Sequence, residues 1–135
     1  EALEVARRNA IRNGVTVHFQ QVDALQESWP SLNIDVLVSN PPYITEKERT
    51  DMERNVLDWE PELALFVPDN DPLLFYRHIA RIGLDLLSPS GTLYYEINRA
   101  YGAETVSLLQ QLGYHSVELR KDLSGNDRMV KAVKP

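Results

Sequence analysis

Ile34-Asp35-Val36-Leu37-Val38-Ser39-Asn40-Pro41-Pro42-Tyr43-Ile44 is the stretch that decides how this chain folds. Ile34 to Val38 is an apolar run with one acidic interruption. That pattern fits a strand buried on both faces, the habit of parallel sheets. Proline cannot donate to a sheet ladder, so the two prolines force the chain out of the sheet just after Asn40. In open α/β sheets the carboxyl ends of strands are where ligands bind. Asn40-Pro41-Pro42-Tyr43 therefore stands where a site would be built, if the rest of the chain alternates strands with helices.

It does. Upstream, Leu3, Ala6 and Ala10 form one stripe of a helix that stops at Asn13-Gly14, a good C-terminal signal. That helix already reads as interior at Glu1, with no N-cap before it, so a start further upstream is expected. Val15 to Gln20 alternates and predicts a strand, with Asp23 where the chain turns out of the sheet. Residues 24 to 30 read as a short helix or loop ended by Pro30. Downstream, 45 to 58 is polar and partly helical, and 58 to 71 is an irregular loop with two prolines. Asp71-Pro72 looks like an N-cap followed by proline at the first helical position. Phe75, Ile79, Ile82 and Leu86 then recur at helical spacing. Ser88-Pro89-Ser90-Gly91 predicts a turn, and Thr92 to Ile97 a strand. Thr105, Leu108, Leu109 and Leu112 mark another helix, closed by Gly113. Strands at about 115 to 121 and 129 to 134 flank "DLSGNDR", a hairpin-type loop. The order implies a single α/β domain over 1–135, with a parallel sheet and one antiparallel member at its end. Asp23, Asn40 and Glu96 all fall at strand ends on one rim.

Bulk composition narrows the function. The 135 residues are 43% hydrophobic and 25% charged, with no cysteine, a net charge of −6 and a pI near 5.0. Disulfides and thiolate metal sites are excluded. His18, His78 and His115 are scattered without acidic neighbours at ligand spacing, so no metal is expected. No apolar run reaches the length of a membrane span. The acidic balance counts against a partner gripped through phosphates, and the one adjacent basic pair, Arg7-Arg8, reads as a solvated helix face.

The chemistry of the tetrapeptide is specific. Asn40 offers a side-chain carbonyl acceptor, and the stiff Pro41-Pro42 turn offers the Pro41 carbonyl with no competing N–H. Two acceptors in fixed register suit a planar NH₂ group, and Tyr43 supplies a ring against its face. An amide or aromatic-amine nitrogen is a poor nucleophile because its lone pair is delocalised. Holding both hydrogens aims that lone pair and favours the positive charge that develops during attack, without a strong base. The plainer reading of the same residues is a proline-rich strand exit with a packed tyrosine.

"NPPY" after a buried strand resembles the amino-group methyltransferases that use S-adenosylmethionine. The segments "ARRNAIRNG", "QVDAL", "SNPPYI", "WEPELALFV", "LLSPSGTLYYEI" and "LGYHSVELRKDLSGNDRMV" are similar, in the same order, to the HemK/PrmC family of protein-(glutamine-N5) methyltransferases. "NPPY" alone is shared with adenine methyltransferases. Ile44, the "EP..AL" element and the "D..GNDR" tail favour the glutamine branch. The resemblance implies a Rossmann-like seven-stranded fold, here with strands 3 to 7 present, strands 1 and 2 missing, and the last strand antiparallel. It implies a cytoplasmic enzyme with S-adenosylmethionine as cofactor and a peptide chain release factor as partner. Asn40, Pro41 and Tyr43 would be catalytic. Substrate would meet Asn40, Pro41, Pro42, Tyr43, Glu60 and Pro61, and the cofactor Asp23, Ala24 and Asn40.

Two departures matter. The family's glycine-rich cofactor loop and the acidic residue that grips the ribose have no counterpart in this sequence, and neither has its N-terminal helical domain. In the family strand order, 3-2-1-4-5-7-6, the missing pair separates Val15–Gln20 from Ile34–Val38. Val15–Gln20 is thus expected to pair directly with the next strand, to pair between chains or to be displaced. Weak or absent binding of S-adenosylmethionine by these 135 residues is expected. The alternatives are an adenine-N6 methyltransferase on nucleic acid and a non-catalytic binding core. For Glu96 and for Glu60-Pro61, structural roles compete: capping a neighbouring turn, and a surface loop anchored by Trp59. Asp122 and Arg128 are expected to brace the terminal hairpin.

Overall fold

The computed structural model describes residues 1–26, 28–30 and 32–135. In chain order it contains α1 (Ala2–Arg12), β1 (Ile34–Ser39), β2 (Ile44–Thr45), α2 (Arg54–Trp59), β3 (Phe66–Val67), α3 (Leu74–Leu86), β4 (Leu87–Glu96), α4 (Gly102–Gln111), β5 (His115–Lys121) and β6 (Asp127–Val133). Four strands form one sheet in the order β1-β4-β6-β5. β1 runs parallel to β4, with Val38 beside Tyr94, while β6 is antiparallel to both β4 and β5. This is the expected order of strands four to seven, with the last strand reversed. β5 and β6 are joined by a tight hairpin, which fixes their direction, and a helix connects β4 to β5 over the top.

Helices α3 and α4 cover one face of this sheet. Tyr76, Ile79 and Ala80 of α3 and Leu109 of α4 meet Leu93, Tyr95, Val130 and Ala132 in a single core. Leu93, Leu109 and Ala132 are 0% exposed. Burial of a leucine of this kind contributes about 2 kcal/mol. Gly83 lets α3 approach: a Cβ there would stand 2.6 Å from the Tyr114 hydroxyl, which donates to the Ala80 carbonyl at 2.7 Å. Tyr76 and Tyr95 meet edge to face at 5.1 Å between ring centres.

Four expectations are corrected. β1 is not buried on both faces: Val36 and Val38 are 55% and 73% exposed, because α3 and α4 lie on the opposite side of the sheet. Val15–Gln20 forms no strand, and no described strand pairs with it. With no ladder to hold its backbone groups, it runs as an exposed connection with Val15 and Val17 in solvent. Asp71 does not cap α3. Its carboxylate takes two bonds from the Arg77 guanidinium, at 2.7 and 2.9 Å, and the helix begins at Leu74. A two-pronged charged partner outcompetes a backbone N–H for that carboxylate, and it holds the Asp71 pKa below the usual range. β4 starts at Leu87 rather than after the Ser88–Gly91 turn, since Ser90 and Lys134 extend the ladder with β6. Of the segment 24 to 30, Ala24-Leu25 is a turn, and Glu27 lies outside the described residues.

Candidate functional site

The chain leaves the sheet at Ser39, and the next six residues are fastened from behind. Pro41 is buried, while Asn40 is exposed. The Ile44 N–H donates to the Leu65 carbonyl at 3.0 Å, and β2 pairs in parallel with β3. The Tyr43 hydroxyl donates to Glu96 Oε1 at 2.9 Å, and its backbone carbonyl accepts from Asn98 Nδ2 at 3.0 Å. Burial, and after it the Glu96 carboxylate, raises the Tyr43 pKa above 10.0, so the phenol stays neutral and donates. Tyr76 completes the support by donating to the Glu96 carbonyl at 3.1 Å. The Asn40 side chain and the Pro41 carbonyl, by contrast, make no hydrogen bond among the described residues. Both proposed acceptors are left open, while Tyr43 and Ile44 beside them are tied.

Asn40 stands on the wall between two clefts. One, of about 640 Å³, is lined by Asp23, Ala24, Asn40, Pro42, Pro61 and Phe75, among others. The other, of about 420 Å³, is lined by Asn40, Pro41, Tyr43, Ile44, Glu60 and Leu65, among others. Asp23, Ala24, Asn40, Pro41, Pro42, Tyr43, Glu60 and Pro61 are thus all brought to one place, although they come from three separate stretches of chain. The Asp23 turn holds its shape by accepting the Leu25 N–H at 2.8 Å. It is tied to α3 by the 2.8 Å contact of His78 Nε2 with the Gln26 carbonyl. Ala24 packs against the core, and Phe75, in the first turn of α3, forms the cleft's apolar wall. The slot is apolar, with the Asp23 carboxylate at its edge. No glycine cluster accompanies it, since the glycines stand at 14, 83, 91, 102, 113 and 125.

Glu96 neither lines these clefts nor caps a neighbouring turn; it receives the Tyr43 hydroxyl. Trp59, the last residue of α2, is 85% exposed and does not anchor the loop that carries Glu60 and Pro61. Arg49 holds that loop, bonding Glu62 at 2.8 Å and stacking 4.0 Å over the Phe66 ring. Asp122 and Arg128 brace the hairpin: the guanidinium donates at 3.2 Å, and Asp122 also accepts the Ser124 and Asn126 N–H groups. Asn98, Thr45 and Glu48 were missed by sequence reasoning. Thr45-x-x-Glu48 is a capping-box pattern readable in the sequence, and it is formed here; Asn98 carries no comparable signal. Among the described residues no helix is long and apolar enough to cross a membrane, and no group of His, Asp and Glu could hold a metal.

No protein-family model matches the chain. It is 50% identical over 133 residues to the release factor glutamine methyltransferase of Bacteroides thetaiotaomicron, covering 98% of this chain and 48% of that protein. To the release factor glutamine methyltransferase of Flavobacterium psychrophilum it is 46% identical over 131 residues, covering 97% of this chain and 46% of that protein. The chain therefore spans about half the length of these curated relatives. The crystal structure of a methyltransferase from Pyrococcus furiosus matches 97% of this chain and 56% of its own, with a TM-score of 0.61 at 19% identity. That likeness shows the fold, the Rossmann-like methyltransferase sheet already evident in the strand order. By sequence, the chain is similar over nearly its whole length to release factor glutamine methyltransferases.

Proposed function

We propose that this chain carries the amide-holding part of an enzyme that moves a methyl group from S-adenosylmethionine to the side-chain nitrogen of a glutamine in a peptide chain release factor. The observation that carries the reading is Asn40 on the wall shared by two clefts, one with Asp23 and Ala24, the other with Pro41, Tyr43 and Glu60. Asp23 and Ala24 hold the adenine end of the cofactor. S-adenosylmethionine, when bound, supplies an electrophilic methyl group. Asn40 Oδ1 and the Pro41 carbonyl accept the two hydrogens of the glutamine NH₂, and the neutral Tyr43 ring lies against the amide plane. Fixing both hydrogens points the nitrogen lone pair along one line and stabilises the positive charge that grows on it. From the loop side, Glu60 closes the acceptor cleft and Pro61 lines the cleft beside it. The proton shed by the nitrogen leaves to solvent through the open cleft.

An exocyclic amine of a nucleic-acid base would fit the same two acceptors. The stretch from Glu46 to Glu62 holds seven carboxylates against three basic side chains, a poor surface for phosphates. The test is to incubate the full natural chain with S-adenosylmethionine and either a release factor or adenine-containing RNA and DNA, then locate new methyl groups by mass spectrometry. Methylation of one glutamine side chain is expected. A methyl group on adenine alone, or none on either substrate, overturns the reading. The 135 residues alone are expected to bind S-adenosylmethionine weakly or not at all, and micromolar binding by calorimetric titration would contradict that.

A further inference from the structure

Asn98 is 4% exposed and lies just past the end of β4, beneath the Asn40–Tyr43 turn. Its NH₂ has two hydrogens. One goes to the Tyr43 carbonyl at 3.0 Å, and the other is shared between the two Glu48 oxygens at 3.1 and 3.0 Å. Glu48 in turn accepts the Thr45 N–H at 2.8 Å and the Thr45 hydroxyl at 2.7 Å. Asn98 Oδ1 accepts the Ala100 N–H at 2.9 Å, which fixes the amide's orientation. Thr45 is itself 4% exposed, so water cannot readily replace these partners.

We propose that Asn98 and Glu48 are positioning residues, which set where Asn40 and the Pro41 carbonyl stand by clasping the turn at Tyr43 and Thr45. The side chains of the clasp grip the exit of the turn, while the Asn98 backbone N–H donates to the Tyr76 hydroxyl of α3 at 3.3 Å. Two consecutive prolines make the link stiff, so a shift at Tyr43 is carried back to Pro41 and Asn40 instead of being absorbed. The inference rests on reading Asn40 and Pro41 as an amide clamp. A misplacement of about 1 Å in such a clamp costs on the order of 100-fold in rate.

The test compares steady-state methyl transfer by the full natural chain with Asn98→Ala, Glu48→Gln and the paired exchange Asn98→Asp/Glu48→Gln, and with Ile79→Val as a core-packing control. Each single variant is expected to lower kcat by about 100-fold with KM for the methyl donor within about twofold. Ile79→Val lowers the melting temperature with kcat unchanged. In the exchange, the amide introduced at position 48 can donate to the carboxylate introduced at position 98, but the Tyr43 carbonyl then faces that carboxylate. Melting temperature should therefore recover while kcat stays low. Glu48→Gln keeps the side-chain shape and carries the test if Asn98→Ala fails to fold. Wild-type kcat in either single variant, or full recovery of kcat in the exchange, overturns the inference while leaving the proposed function standing. Absence of glutamine methylation by the wild type overturns both.

Discussion

Tyr43→Phe removes one hydroxyl and keeps the ring, so it separates the tyrosine's two roles. The lost bond is the 2.9 Å donation to Glu96 Oε1. A hydrogen bond to a charged acceptor contributes about 1.5–3 kcal/mol when water is excluded. Glu96 is only half-buried, so water partly replaces the donor and the expected cost is about 1–2 kcal/mol. For 135 residues the unfolding entropy is about 0.28 kcal/mol/K, and the melting temperature should fall by roughly 4–7 °C. The deficit also has a pH signature. The Tyr43 pKa is raised above 10.0 in the folded protein, mainly by burial and then by Glu96. Stability from its neutral form is fully present below pH 10 and is lost as pH rises through the folded value. The gap between wild type and Tyr43→Phe should therefore narrow above pH 10. Thermal melts followed by circular dichroism between about pH 7 and 11 read both effects. Because the ring remains, methyl transfer by the full natural chain should fall less than tenfold, and much further in Tyr43→Ala. A shift below about 1 °C, or a gap that widens with pH, would refute the role given to the hydroxyl.

Gly83→Ala should destabilise by about 1–2 kcal/mol in chemical denaturation, since the added methyl overlaps the Tyr114 hydroxyl at 2.6 Å and the gain in helix propensity offsets only part of that strain. An increase in stability would mean that α3 does not rest against Tyr114. Tyr76, Tyr95 and Tyr114 are 1%, 2% and 3% exposed, and burial raises the pKa of each above 10.0. Above pH 10 the unfolded chain gives up these protons and the folded chain keeps them, so stability falls by up to about 4 kcal/mol per pH unit for the three together. Unfolding is expected within roughly one to four pH units above 10. Ionisation of all three near pH 10 with the dichroism spectrum intact would contradict this.

The apolar stripe of α3, the strand-end position of Asn40 and the terminal hairpin were legible because each rests on local chemistry: helical spacing, proline's missing donor, and a Ser-Gly-Asn-Asp turn. The reversed last strand followed from two strands in succession. What the sequence could not reveal depended on partners distant along the chain. Val15–Gln20 has the alternation of a strand, but alternation supplies no ladder partner. Ile34–Val38 has the composition of a strand covered twice, yet α3 and α4 both pack on one side. Asp71-Pro72 has the form of a cap, but Arg77, one and a half turns on, claims the carboxylate. The candidate residues of the site came from the tetrapeptide's chemistry and from a family resemblance. Their support from Glu96, Asn98 and Glu48 became visible only when residues about fifty positions apart were seen in contact.

In the proposed function Asn40 holds the glutamine amide while the cofactor is held mainly elsewhere. The most direct measurement is kcat for glutamine methylation, taken alongside the dissociation constant for S-adenosylmethionine, in Asn40→Ala of the full natural chain. A fall in kcat of about 10²–10³-fold or more is expected, with cofactor affinity changed by no more than about threefold. Turnover near the wild-type rate, with loss of cofactor binding, would contradict it.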